Sequence, residues 1–174
     1  GADFAVWCNY KYLNGGPGAV GGAFVHARHA TDASLPRFAG WWGHEKETRF
    51  QMGPEFVPTP GADGWQLSNP PILGLAPLLA SLELFDKAGG MPALRAKSEK
   101  LTGLLEALIR ARVADTLEII TPVEPERRGC QLSLRVSGGR ERGRELFDYL
   151  ASVGTLGDWR EPDVIRLSPT PLYN

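Results

Sequence analysis

The sequence predicts an α/β chain whose second half is a small domain with a mainly antiparallel sheet. Three patterns carry that expectation. Two long segments repeat leucine at helical spacing, short later runs alternate apolar and polar residues, and the first apolar run leads into a glycine-rich loop.

The elements follow in order. Phe4-Ala5-Val6-Trp7-Cys8 is apolar throughout, the pattern of a strand buried on both faces. Such a strand needs neighbours, and few later segments suit the role. With Gly1 rather than Met at the start, this predicts a piece of a longer chain. After Asn9-Tyr10-Lys11-Tyr12-Leu13-Asn14 come Gly15-Gly16-Pro17-Gly18 and Gly21-Gly22, glycines that mark turns or close backbone approach. Ala23-Phe24-Val25 reads as a second short strand. From Ala30 to Pro71 there is little periodicity and much Gly, Pro and aromatic character, which predicts a binding loop or active-site wall.

Ile72 to Phe85 is a helix candidate, with Leu75, Leu78, Leu79, Leu82 and Phe85 on its apolar side. Pro77 places the helix start near Ala76 or kinks it. Gly89-Gly90 is the expected domain boundary, dividing the chain into 1–89 and 90–174. A second helix is expected from Pro92 to Val113, striped by Leu94, Leu101, Leu104, Leu105, Leu108 and Ile109. Leu117 to Thr121 and Gln131 to Val136 read as strands, Arg142 to Val153 as a helix stopped by Gly154, and Val164 to Leu167 as a strand closed by Pro169.

Composition narrows the partners. Nineteen Lys and Arg against twenty Asp and Glu give a net charge of -1. No basic stripe interleaved with aromatics appears, so no nucleic-acid partner is expected. The basic clusters Arg110–Arg112, Arg127–Arg128 and Arg140–Arg144 read as solvated faces and loops. Cys8 and Cys130 match no metal or redox spacing, and no metal is expected. Both read as buried thiols of a protein in the reducing cytoplasm. No apolar run approaches the ~20 residues of a membrane span, and no signal peptide is visible.

Lys11 is the leading chemical candidate. Taken singly it reads as a solvated lysine, but it follows a strand and precedes a glycine-rich loop, where α/β proteins place ligands. A lysine stripped of water there has a lowered pKa and attacks aldehydes. Tyr10 and Tyr12 flank it with phenols. A nucleotide phosphate loop needs its lysine after the glycines, so that reading is excluded. If Ile165 and Leu167 face the core, Arg166 projects to the other side, where its fork suits a carboxylate, although taken singly it reads as an ordinary exposed strand arginine. Asn69, before two prolines, is held extended. Trp42 reads as a core or interface aromatic, and His26 and His29 as surface histidines.

The segment Cys8-Asn9-Tyr10-Lys11-Tyr12-Leu13-Asn14-Gly15 is similar to the cofactor-lysine motif of kynureninases. Gly40-Trp41-Trp42-Gly43-His44-Glu45 with Thr48-Arg49-Phe50, then Ser68-Asn69-Pro70-Pro71-Ile72, resemble that family's next blocks. Arg95-Ala96-Lys97-Ser98 through Leu101-Thr102-Gly103, Arg128-Gly129-Cys130-Gln131-Leu132 and Arg166-Leu167-Ser168-Pro169-Thr170-Pro171-Leu172-Tyr173-Asn174 complete the series in order.

The resemblance implies the C-terminal part of a type I pyridoxal-phosphate fold. Residues 1–89 would end the large cofactor domain, and residues 90–174 would be a small α/β domain lacking its last helix. It implies a homodimer with shared active sites, pyridoxal 5'-phosphate as cofactor, and hydrolysis of L-kynurenine or 3-hydroxy-L-kynurenine to an anthranilate and L-alanine. Lys11 would be the Schiff-base lysine and Tyr10 would bind the cofactor phosphate. Trp41 and Asn69 would complete the cofactor and substrate pocket, Ser68 would line it, and Arg166 would clamp the substrate's α-carboxylate. The chain alone is expected to be inactive. The alternatives are another lyase of this fold, such as a cysteine desulfurase, or a non-catalytic fragment.

Overall fold

A computed structural model describes all residues, 1–174. The chain divides into two compact units, Gly1–Glu83 and Leu84–Asn174, which are described separately.

In the first unit β1 (Phe4–Trp7) pairs antiparallel with β2 (Gly22–Val25), Phe4 opposite Val25 and Trp7 opposite Gly22. These two strands form the whole sheet. The expected burial of β1 on both faces is not found: Phe4, Val6 and Trp7 are exposed. An apolar strand needs a layer on each side, and here β2 covers only one edge. Phe4 finds partial cover by stacking on His29, with ring centroids 5.1 Å apart, and by meeting Trp65 edge-on at 5.5 Å. His29 is thus half-buried rather than a surface histidine, and its Nε2 lies 2.6 Å from Asp3 Oδ1. The hydrogen bonds from His29, then Arg28, hold the Asp3 carboxyl below its usual range.

Residues 30–71 are irregular, as the missing periodicity predicts. They contain two short 3-10 turns, Arg49–Gln51 and Gly61–Trp65, and one isolated bridge between His44 and Pro58. Then α1 (Ile72–Lys87) begins five residues before Pro77 and runs through it. Its buried side is Leu78, Ser81 and Phe85, while Leu79 and Leu82 are exposed. A polar residue therefore replaces leucine on the packed side.

The second unit takes the last residues of α1 and continues with α2 (Gly90–Arg112), β3 (Leu117–Ile119), β4 (Leu132–Val136), α3 (Gly139–Ser152), β5 (Asp158–Arg160) and β6 (Val164–Leu167). The four strands form one antiparallel sheet in the order β3-β4-β6-β5. Leu132, Leu134, Val136 and Ile165 are 0–1% exposed, so one face of the sheet is the core. Leu105 and Ile109 of α2 pack on that core with Leu117, Ile119 and Leu167.

The α2 stripe differs from the leucine pattern. Leu94, Ser98, Thr102 and Ile109 are buried, whereas Leu104 and Leu108 are exposed. Thr102 can be buried because its hydroxyl donates back to the Ser98 carbonyl at 2.9 Å, which leaves no stranded donor. β5 is an element the pattern did not predict: three residues, Asp158-Trp159-Arg160, too few to show a period, paired along the edge of β6.

Arg128 is also not solvated. Its side chain is 5% exposed and its Nη1 lies 2.6 Å from Glu106 Oε2 on α2. Neither cysteine is fully buried: Cys8 is exposed and Cys130 half-buried, where burial pushes the Cys130 thiol up. No helix is long and apolar enough to cross a membrane.

Candidate active site

Lys11 sits on a tight turn directly after β1. The turn closes through the Asn14 amide, which donates to the Lys11 carbonyl at 2.9 Å, and the Gly15 amide, which donates to the Asn9 carbonyl at 2.9 Å. Asn14 takes a left-handed φ of 52°, which its short polar side chain tolerates. Asn9 is 5% exposed and donates Nδ2 to the Val20 carbonyl at 2.8 Å, tying the two ends of the glycine loop.

From the helix side, Ser81 Oγ donates to the Leu13 carbonyl at 2.7 Å. Gly15 lies so close that an added Cβ would stand 2.9 Å from both Ala19 Cβ and the Asn9 carbonyl, and 3.4 Å from Leu78. The lysine is therefore mobile only beyond its Cα, because its backbone is fastened to α1 and to the loop.

The amine itself is accessible. Lys11 Nζ stands 4.6 Å above the Tyr10 ring and 3.7 Å from Cys8 Sγ, with no carboxylate as partner. The hydrogen bond with Tyr10 comes first, then the neighbouring Cys8 thiol, in holding the amine above the ordinary lysine value. The depressed pKa expected from the lysine's position is thus not a property of the turn alone. Desolvation is what lowers a lysine, and here Lys11 is exposed.

Trp41, Ser68 and Asn69 belong to a second part of this unit. Gly40 and Gly43 bracket the two tryptophans because the backbone of residues 64–67 passes against them. A Cβ on Gly40 would stand 2.2 Å from Leu67 Cα, and one on Gly43 would stand 2.7 Å from the Gln66 carbonyl. This contact lays the Trp41 segment beside the chain that leads into exposed Ser68 and Asn69. We expect Gly40→Ala to destabilise the protein by about 1–3 kcal/mol through overpacking, read as a lower denaturant midpoint. An unchanged midpoint would show that the two segments separate freely.

Trp41 meets Trp42 and Phe50 edge-on, with centroids 5.7 and 5.6 Å apart, and lines a concavity of about 530 Å³ together with His44, Arg49 and Phe56. His44 is held from both ring nitrogens, Nδ1 accepting from the Val57 amide at 3.4 Å and Nε2 lying 3.0 Å from Thr48 Oγ1. The Arg49 guanidinium lies over the Trp42 ring at 4.9 Å and donates to the Trp42 carbonyl at 2.9 Å. The aromatic wall is thus held by its own contacts.

Arg166 lies in the other unit, on β6. It projects away from the Ile165 side, as alternation predicts, and is 30% exposed. Its Nε donates to Asp158 Oδ2 at 2.5 Å, and its Nη2 pairs with the same oxygen. So the predicted carboxylate clamp already holds one carboxylate of its own chain, supplied by the unpredicted strand β5.

Residues 94–174 match the family described as the kynureninase C-terminal domain. Over 172 residues the chain is 75% identical to the kynureninase of Stenotrophomonas maltophilia (strain K279a), and over 174 residues it is 74% identical to that of Xanthomonas campestris pv. campestris (strain B100). Over its whole length the chain is similar to these kynureninases. It corresponds to the C-terminal portion, spanning 40% and 41% of the length of these two kynureninases while they cover 99% and 100% of it.

Solved structures agree on the fold. A mutant of C-DES with glycine covalently linked to its PLP cofactor superposes with a TM-score of 0.68 at 18% identity, covering 99% of this chain and 43% of that one. Apo cysteine desulfurase from Thermococcus onnurineus NA1 gives 0.66 at 14% identity, with the same coverage. The chain thus has the C-terminal part of the type I PLP-dependent fold.

Asn9, Ser81 and Asp158 are the site-supporting residues that the sequence reading missed. Asn9 and Ser81 act on backbone carbonyls 11 and 68 positions away. No periodicity signals such bonds. Asp158 had a weak signal, an acid two residues from Arg160 and ahead of a strand carrying Arg166.

Proposed function

We propose that this chain carries the cofactor lysine and the substrate-carboxylate arginine of an enzyme that hydrolyses L-kynurenine or 3-hydroxy-L-kynurenine to an anthranilate and L-alanine. The observation that carries the reading is Lys11: an accessible amine without a carboxylate partner, on a turn fastened by Asn9 and Ser81, beside a phenol. Those features fit a cofactor that offers an aldehyde to the amine and a phosphate to the hydroxyl donor, so pyridoxal 5'-phosphate is the group we propose. When bound, it supplies an electron sink for carbanion chemistry.

The chain's own residues divide the remaining work. Lys11 would hold the cofactor through Nζ and, once released by substrate, take and return protons at that atom. To attack an aldehyde the amine must shed its proton, so a covering surface that strips water from Nζ belongs to the proposal. Tyr10 would donate its hydroxyl to the phosphate. Trp41 and Asn69, on adjoining segments, would wall the cofactor and substrate pocket with Ser68, and Arg166 would bind the α-carboxylate through charge-assisted hydrogen bonds.

In this proposal residues 1–89 end the large cofactor domain and residues 90–174 are the small C-terminal domain. The active protein is a cytoplasmic homodimer with shared sites. Partial support for a partner surface comes from the exposed apolar side chains Val6, Leu73 and Leu79. A desulfurase reading needs a free reactive thiol on a mobile loop, and the half-buried Cys130, its thiol pushed up, does not suit it.

The test is to load the full-length protein with pyridoxal phosphate, reduce it with borohydride and map the labelled peptide. We expect the label on Lys11. Label on another lysine, or none, would overturn the assignment.

A further inference from the structure

The polar face of the four-stranded sheet holds one carboxylate between two arginines. Asp158 opens β5 and Arg160 ends it, two residues on and hence on the same face. Arg166 on β6 stands directly opposite Asp158. Asp158 Oδ2 accepts from Arg166 Nε at 2.5 Å and from its Nη2, and lies 3.2 Å from Arg160 Nη2.

These contacts use only the Nε side of the Arg166 guanidinium. Its terminal edge, formed by Nη1 and the outer N–H of Nη2, has no partner in the chain. Two arginines against one aspartate also leave this cluster with net positive charge, so a second carboxylate is still attracted to it.

We propose that Asp158 is a positioning residue for Arg166, fixing the guanidinium from its Nε side so that the terminal edge stands ready for the substrate's α-carboxylate. The inference rests on the reading of Arg166 given above and adds the residue that orients it. An arginine has a long side chain with much rotamer freedom, and freezing it during binding weakens affinity. A cross-strand aspartate removes that freedom before substrate arrives. Arg160, which shares the same carboxylate oxygen, keeps Asp158 on its side of the strand pair. The arrangement is therefore a preformed fork.

The experiment compares Asp158→Asn, Asp158→Ala, Arg166→Ala and the double variant Asp158→Ala/Arg166→Ala in the full-length protein with its cofactor bound. Steady-state kinetics with kynurenine and thermal melting are read for each. We expect Asp158→Ala to raise KM on the order of tenfold, the scale of one lost charge-assisted hydrogen bond, with kcat nearly unchanged. Asp158→Asn keeps the shape and one acceptor oxygen, so its rise should be smaller. It carries the test if the alanine variant fails to fold. In the double variant, loss of Asp158 should add nothing to the effect of Arg166→Ala.

A fall in KM on removing the carboxylate would mean that Asp158 competes with substrate, and an unchanged KM would mean an ordinary surface ion pair. Either result overturns the inference. If Arg166→Ala itself leaves KM unchanged, the carboxylate role of Arg166 fails, a result distinct from failure at Asp158 alone.

Discussion

Replacing Lys11 by alanine in the full-length protein is expected to abolish the kynurenine hydrolysis proposed for it, while leaving its stability within about 0.5 kcal/mol of the parent. The second half of that expectation follows from the structure. Lys11 is exposed, and Tyr10 and Cys8 are its side-chain neighbours, so no buried partner is stranded by its loss. The turn is held by backbone bonds and by the side chains of Asn9 and Ser81, none of which needs the amine.

The first half follows from the chemistry proposed for Nζ. A positioned acid-base group contributes roughly 10²–10⁴-fold, and Lys11 would in addition hold the cofactor. We therefore expect kcat to fall by at least that range. Lys11→Arg should not rescue it, because a guanidinium stays protonated. Stopped-assay kinetics beside thermal melting decide the matter. A variant with activity within about tenfold of the parent would remove Lys11 from the mechanism, since it would fall below that range.

The largest stability effect is expected at Arg128. Its side chain is 5% exposed and its Nη1 faces Glu106, itself 12% exposed, while Arg110 binds the other oxygen of the same carboxylate at 2.9 Å. Removing Arg128 leaves a largely covered carboxylate with one exposed partner, and breaking a buried pair costs up to about 3–5 kcal/mol. Arg128→Ala should therefore shift the denaturant midpoint strongly, and Arg110→Ala only slightly.

Glu106 also sets a pH dependence. Burial pushes its carboxyl up, but the bonds from Arg128 and Arg110 together outweigh this and hold it below its usual range. A carboxyl lowered by folding contributes stability that is fully present above its unfolded value, near 4.5, and is lost as pH falls through the folded value. Glu106→Gln should flatten the acid limb of the stability curve. A parent and a Gln variant with parallel acid limbs would show that Glu106 is not the titrating group.

Arg128 also shows where sequence reading stops. Beside Arg127 it looked like half of a solvated pair, yet one arginine is 68% exposed and its neighbour 5%. The difference is made by Glu106, 22 residues earlier on α2, and nothing in the local charge pattern points that far. The α2 stripe went astray for a related reason. Leucine spacing identifies the helix, but Leu104 and Leu108 are exposed while Ser98 and Thr102 are buried. Burial of Thr102 becomes possible because its hydroxyl donates one turn back to the Ser98 carbonyl, whereas Ser98 Oγ is buried without a partner.

Local patterns did carry much of the fold. Both long helices, β4, α3 and β6 were legible because apolar periodicity is a short-range signal, repeated within each element. Pro169 and the glycine pairs at 15–16 and 89–90 were legible for the same reason, being local breakers of regular structure. β5 was not, since three residues are too few to show a period.

For the candidate site, the sequence by itself pointed to Lys11 after a strand and before glycines, to Asn69 before prolines and to Arg166 on an alternating strand, and its resemblance to kynureninases added Trp41. Only the tertiary structure decided what surrounds them. It joined Lys11 to Tyr10 and fastened its turn to Ser81, laid the Trp41 segment against Leu67, and gave Arg166 the Asp158 carboxylate. The physical reason is range. Residue type and spacing encode backbone conformation within a few positions, whereas a hydrogen bond across strands or from a helix to a turn exists only after the chain has packed.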